Sequence, residues 1–135
     1  MLVLVDSIEL VKKYIPKFPK IVNKIIKKKD KPTTIIYQGA KKLAKNLLNI
    51  DGTIRIRIVN DEFCKELIFR FNKPIVSTSA NFSGMPFPKN FSEINNQLIQ
   101  QINYVVNWRQ EDLIISSPSR IVKIGENNKI EILRE

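Results

Sequence analysis

Apolar and polar positions alternate along this chain in two periods, and the periods mark its elements. Met1–Val5 is a short apolar run that reads as a core strand. Ile8, Val11 and Ile15 recur at helical spacing after it, with Asp6 or Ser7 available as a cap and Glu9 placed as in a capping box. Pro16 and Pro19 end that helix. A second begins near Lys20, with Ile21, Val22, Ile25 and Ile26 on its core side. Lys31–Tyr37 is rich in β-branched residues and predicts a strand, turned by Gln38-Gly39. Ala40–Leu48 predicts a helix with Leu43, Leu47 and Leu48 inward, and Asp51-Gly52 a hairpin-type turn. Thr53–Val59 alternates: Ile54, Ile56 and Ile58 point one way, Thr53, Arg55 and Arg57 the other.

Asn60 or Asp61 caps a further helix running to about Phe71, with Phe63, Leu67, Ile68 and Phe71 as its core stripe. Ile75–Ser77 suits a buried strand. Glu93–Ile102 predicts an amphipathic helix capped by Ser92. Tyr104–Trp108 is a strand candidate and Leu113–Ser116 a weaker one. Ser119–Ile124 and Lys129–Leu133 flank a Gly-Glu-Asn-Asn turn and predict a terminal hairpin. Strands and helices are mixed throughout, and no repeat or linker divides them. The expected fold is one α/β domain over 1–135, with a twisted, mixed, open sheet flanked by helices.

Charge changes this picture most. The chain has 135 residues, 43% of them hydrophobic and 27% charged, an ordinary globular balance. Yet 23 Lys+Arg stand against 13 Asp+Glu, a formal +10. That favours anionic partners such as RNA or nucleotides. The lysines concentrate at Lys12, Lys13, Lys17, Lys20, Lys24, Lys27, Lys28, Lys29 and Lys31. They form either a solvated face or a surface for the phosphates of tRNA or double-stranded RNA. There is no histidine, which removes His-based triads and His metal sites. The single Cys64 lies on an apolar helix face, and a buried structural thiol outweighs a nucleophile there. No run approaches the about 18 apolar residues of a membrane span, and the N-terminal stretch is too short and acidic for a signal peptide, so a cytoplasmic protein is expected.

Two stretches carry candidate chemistry. Lys73–Gly84, KPIVSTSANFSG, is a strand that ends in hydroxyls and an amide. In open α/β sheets ligands sit beyond the carboxyl ends of strands. The same residues could equally form a corner that satisfies its own backbone. Arg55 and Arg57 share one face of a strand, either in solvent or aimed at an anion, whose carboxylate or phosphate geometry a guanidinium fork matches.

The segment KPIVSTSANFSGMPFP resembles the signature of the YrdC/TsaC family, the L-threonylcarbamoyladenylate synthases. PSRIVKI followed by IEILR resembles that family's closing strands, and DKPTTIIY and DGTIRIRIVNDEF stand in its order and spacing. The resemblance covers nearly all of the chain. It implies a YrdC-like fold and a nucleotidyltransferase of tRNA modification, forming threonylcarbamoyl-AMP and pyrophosphate from L-threonine, bicarbonate and ATP. Mg2+ would accompany the phosphates, and a downstream transferase would carry the threonylcarbamoyl group to tRNA. Carried over residue by residue, it implies that Thr53, Asn81, Lys89 and Arg134 bind ATP and that Arg57, Ser79 and Ser119 bind threonine. It names no catalytic side chain and no metal ligand.

The family's Pro-Thr-Asp-Thr-like segment and the Lys-x-Arg segment that engages the phosphates have no counterpart here. The resemblance is thus to roughly the C-terminal two-thirds of the family, an N-terminally truncated form, for which weak or no synthase activity alone is expected. Arg120 and Lys123 replace a usual threonine and aspartate, and Arg55 a small residue, beside the expected pocket. Two other classes stay open: a non-catalytic RNA-binding YrdC-like module, and a relative of the same fold acting on another amine.

Overall fold

The computed structural model describes residues 1–28, 30–115 and 117–135, so Lys29 of the basic stretch and Ser116 of the weaker strand candidate lie outside the described residues. Two compact units appear: Met1–Ser77 with Pro118–Glu135, and Thr78–Ser117.

The first unit holds a six-stranded mixed sheet. Its strands are β1 (Leu2–Val5), β2 (Thr33–Tyr37), β3 (Ile54–Ile58), β4 (Ile75–Ser77), β5 (Arg120–Ile124) and β6 (Ile130–Arg134), in the spatial order β4-β1-β3-β2-β5-β6. β1 runs parallel to β3 and β2 parallel to β5; the other neighbours are antiparallel. The parallel pairs need crossovers, which the helices α1 (Ile8–Tyr14), α2 (Val22–Lys27) and α3 (Glu62–Phe71) help to supply. Val3, Val5, Ile35, Tyr37, Ile54, Ile56, Val122 and Ile124 project from one side of the sheet into the core. There they meet Leu10, Val11, Ile15, Val22 and Ile68 from the helical segments. This is the α/β mixed-sheet architecture expected from the alternation.

Caps set the helix boundaries. Ser7 Oγ accepts the Leu10 N–H at 3.3 Å, so Ser7 rather than Asp6 caps α1. Asp61 Oδ1 accepts the Cys64 N–H at 2.9 Å and starts α3. Asn72, left-handed at φ 56°, donates its N–H to Ile68 O and stops it.

Several expectations are corrected. Ala40–Leu48 forms no α-helix, only a 3₁₀ turn at Lys45–Leu47. Lys41 N–H is held by Tyr14 O at 2.8 Å and Lys42 takes φ 60°, which breaks the helical path. Leu43, Leu47 and Leu48 still pack on the core, so burial wins over local propensity. Asp51-Gly52 is a tight turn with Gly52 at φ 74°, but it closes a loop onto the start of β3 and joins no two-strand hairpin. Of the stripe expected on α3, Ile68 is buried and Phe63 half-buried, while Leu67 and Phe71 are exposed. The helix touches the core along a narrower line than its apolar residues span.

The second unit is mostly irregular. The expected helix over 93–102 is a 3₁₀ turn at Phe91–Glu93 and a short helix α4 (Asn96–Gln100). Asn90 and Asn95 cap them in extended conformations, and Asn95 interrupts what the apolar spacing joined. Ser92 donates to Asn90 Oδ1 rather than acting as the cap. Tyr104–Trp108 and the described residues 113–115 form no strand, since they enter no ladder with a partner. Among the described residues no helix is long and apolar enough to cross a membrane.

Candidate functional site

The side of the sheet opposite the core cluster carries the polar chemistry. One register row runs Leu4–Arg57–Thr34–Ile121–Arg134 across five strands. The next row on that face is Arg55–Ile36–Lys123–Glu131. Alternation puts both rows on one face and the apolar core on the other.

A bulge makes Arg134 part of this face. Ile121 pairs with Arg134, but its neighbour Val122 pairs with Ile132, so Leu133 is an extra residue. Strict alternation would leave Arg134 on the side of Ile132. The extra residue re-aims it. Arg134 Nε then donates to Ser119 O at 2.8 Å and Nη2 to Ser119 Oγ at 3.3 Å. The Ser119 hydroxyl meets Thr34 Oγ1 at 2.9 Å, and both residues are buried. A Thr34–Ser119–Arg134 chain therefore runs across β2, β5 and β6. Thr34 was not among the residues assigned from sequence. Its signal was present in the adjacent threonines of DKPTTIIY, but only pairing shows which of them faces this way. Thr33 instead donates to Lys31 O.

Arg57 lies beside Thr34 in the same row. Its guanidinium is half-buried, and among the described residues no carboxylate pairs with it. Burial pushes its pKa down, offset in part by the Cys64 thiol. Arginine nevertheless keeps its charge. A partly desolvated cation with no counter-charge is poised for an anion, and a fork of donors favours a carboxylate or phosphate.

Thr53 behaves differently. Its buried hydroxyl donates to Asp51 Oδ1 at 2.6 Å and accepts from Asn49 Nδ2 at 2.9 Å, while its N–H also reaches Asp51 Oδ1. It forms no hydrogen bond to Arg57, Ser119 or Arg134. Its visible role is to hold the turn that feeds β3. Lys123 Nζ adds a contact to Asp51 Oδ2 at 3.3 Å. The Thr53 hydroxyl and N–H, then Lys123, hold the Asp51 carboxyl below its ordinary 3.8. A depressed folded-state pKa stabilises the fold above the unfolded value and loses that contribution as pH falls through the folded one. The stability advantage of the native chain over Asp51→Asn is therefore expected to shrink on acidification below about pH 4. Urea melts of both proteins at stepped pH values test this; a constant difference would show that the turn does not depend on the ionised carboxylate.

Arg120, expected beside the pocket, is corrected. It shares a row with Thr33 on the helix side of the sheet, where Asp30 Oδ2 lies 2.9 Å from Nη2 and Glu135 Oε2 lies 3.4 Å from Nε. Its guanidinium holds Asp30 below the usual carboxylate range. Lys123 and Arg55 do lie on the polar face.

The remaining assigned residues belong to the second unit. Ser79 and Lys89 are exposed, and the Lys89 N–H donates to Glu93 Oε2 at 2.9 Å. Asn81 Nδ2 donates to Phe82 O and Met85 O, at 3.0 and 2.9 Å. Its Oδ1 is buried and, among the described residues, accepts no hydrogen bond. A groove of about 260 Å³ runs beside it, lined by residues that include Ala80, Phe82, Met85, Phe87 and Glu93. Gly84 turns the loop there at φ 80°.

The profile of the Sua5–YciO–YrdC family, described as "Telomere recombination", matches residues 1–135. The chain belongs to this family. Among curated relatives, the YrdC-family chain is similar to the threonylcarbamoyl-AMP synthase of Pseudoalteromonas translucida. They are 34% identical over 97 residues, 72% of this chain and 50% of that one. It is also 35% identical over 82 residues to a putative threonylcarbamoyl-AMP synthase of Methanocaldococcus jannaschii, 61% of this chain and 37% of the relative. The chain thus spans half or less of these relatives' length. Its fold is that of a P. abyssi Sua5 double variant (TM-score 0.83, 19% identity, 98% of this chain and 40% of that one) and of E. coli YciO (0.78, 18%, 99% and 64%). P. abyssi Sua5 complexed with L-threonine also shares it, at 0.73 and 18% identity, over 98% of this chain and 38% of that one.

Proposed function

We propose that this chain carries the amino-acid and nucleotide sites of a threonylcarbamoyl-AMP synthase, with residues 1–135 acting as one domain. The observation that carries this reading is Arg57: a half-buried guanidinium, without a carboxylate partner among the described residues, in one sheet row with Thr34 and Arg134. A bidentate grip on the threonine carboxylate supplies the missing counter-charge. The Ser119 hydroxyl, held by Thr34 and Arg134, orients the amino acid beside it. Arg134 then serves both Ser119 and a nucleotide oxygen. Asn81, which the resemblance assigns to ATP, has a carboxamide that shapes the loop of the nucleotide site through Phe82 O and Met85 O. Ser79 is the hydroxyl that the resemblance assigns to threonine, and Thr53 acts through the loop it fixes.

The threonine amine combines with bicarbonate, losing water, to give a carbamate. A carbamate oxygen then attacks the α-phosphorus of ATP and pyrophosphate leaves. Such a step needs alignment and charge stabilisation rather than a covalent nucleophile, which agrees with a chain that lacks histidine. Among the described residues no group of three or more His, Cys, Asp or Glu could hold a metal. Magnesium would come with the nucleotide, where its chemistry would be to offset phosphate charge. The product would pass to a transferase acting on tRNA.

L-threonine is expected to raise the thermal midpoint of the chain in a saturable way, by the linkage RT ln(1 + [L]/Kd), and ATP to add to the shift. Absence of any threonine-dependent shift or calorimetric heat would overturn the reading. Threonine-dependent pyrophosphate release is the catalytic readout.

A further inference from the structure

We infer that Arg55 forms a second anion subsite on the polar face, taking the phosphate chain of the nucleotide while Arg57 takes the carboxylate. The inference deepens the functional reading above and rests on it for the identity of the ligand. Arg55 and Arg57 occupy alternate positions of β3, so both guanidinium groups leave the same face. Two residue steps along the strand separate them, about 6.7 Å. Like charges held side by side repel. Neither arginine is matched by a carboxylate among the described residues.

Among the described residues, the neighbouring charges show why Arg55, and not Lys123, is left without a counter-charge. In its row, Arg55 is flanked by Ile36, and Lys123 follows on β5 with Glu131 opposite. The Asp51 carboxylate nearby is already engaged by Thr53 and Lys123. Lys123 thus lies between two carboxylates, whereas Arg55 is exposed and unbalanced. The half-buried Arg57 suits a small, fully gripped anion. The open Arg55 suits a longer and more highly charged group that stays partly in water. Two anionic groups one strand repeat apart on one bound assembly fit the spacing of the pair.

Calorimetric titration of the 135-residue chain with inorganic tripolyphosphate, AMP and ATP tests this. Arg55→Ala is expected to weaken tripolyphosphate and ATP by about ten-fold, the scale of losing one charge-assisted hydrogen bond, and AMP by less than about two-fold. Arg55→Lys should recover part of the loss. Lys13→Ala, an equal loss of charge on α1, should change nothing. Unaltered tripolyphosphate affinity in Arg55→Ala, an equal loss for AMP, an equal effect of Lys13→Ala, or no tripolyphosphate binding by the native chain would each overturn the subsite. If tripolyphosphate binds through Arg55 but ATP and threonine do not bind, the subsite stands and the synthase reading falls.

Discussion

Replacing Arg57 with methionine is expected to remove threonine binding while leaving the fold as stable as before, or slightly more so. The side chain is half-buried with no carboxylate partner among the described residues, and burial already works against its charge. An uncompensated, partly desolvated cation is a cost to folding. Methionine keeps the apolar stem that packs along the strand and removes only the charged head. Loss of a bidentate, charge-assisted grip should weaken threonine by about a hundred-fold, about 3 kcal/mol. Arg57→Lys should fall between, because an ammonium keeps the charge but not the fork. Calorimetric titration with L-threonine, beside thermal melts of the same samples, gives both numbers. Unchanged affinity would remove Arg57 from the site. A melting temperature that falls together with affinity would make it a structural residue.

Ile68→Ala should be the most damaging substitution on α3. Ile68 is the buried residue of that helix, 1% exposed, and packs into the cluster beneath the sheet. Truncation removes transfer energy and leaves a cavity, together about 2–5 kcal/mol. Against the about 5–15 kcal/mol that holds a domain together, that brings the chain close to unfolding. Phe71→Ala deletes a larger side chain, yet Phe71 is 55% exposed and should cost less than about 1 kcal/mol. Urea melts of the two variants compare the readings directly. Equal losses would mean that the helix buries the full stripe written in its sequence.

That contrast shows where sequence was a sufficient guide. Alternation in TIRIRI sorted β3 into a core face and an arginine face, because a strand has only two sides and its period does not drift. Cap chemistry at Ser7 and Asp61 was equally local and equally legible. The helix expected over 40–48 failed because its leucines can reach the core from an irregular loop, which a 3₁₀ turn and the Lys41–Tyr14 bond then fix. Tyr104–Trp108 has strand-like residues, but a ladder needs a partner that periodicity does not reveal. Within the site, Arg57, Ser119 and Arg134 stood out by residue type and resemblance. Thr34 and the structural use of the Thr53 hydroxyl did not. Both depend on which side chain lies opposite which, and register is not written in one strand alone.

The extra residue at Leu133 gives the last strand a change of phase. Positions 130 and 132 count with the core side of the sheet, and position 134 counts with the other. Chain length at that point therefore carries information that residue identity does not. Regular pairing of β6 at the same length would keep every side chain chemically intact and still turn the arginine away from Ser119, whereas loss of Leu133 alone would leave it opposite Ile121. Alignments that close this gap for neatness would pair the wrong residues. In a family whose members diverge as far as these do, the spacing before the final arginine is itself a trait to be compared.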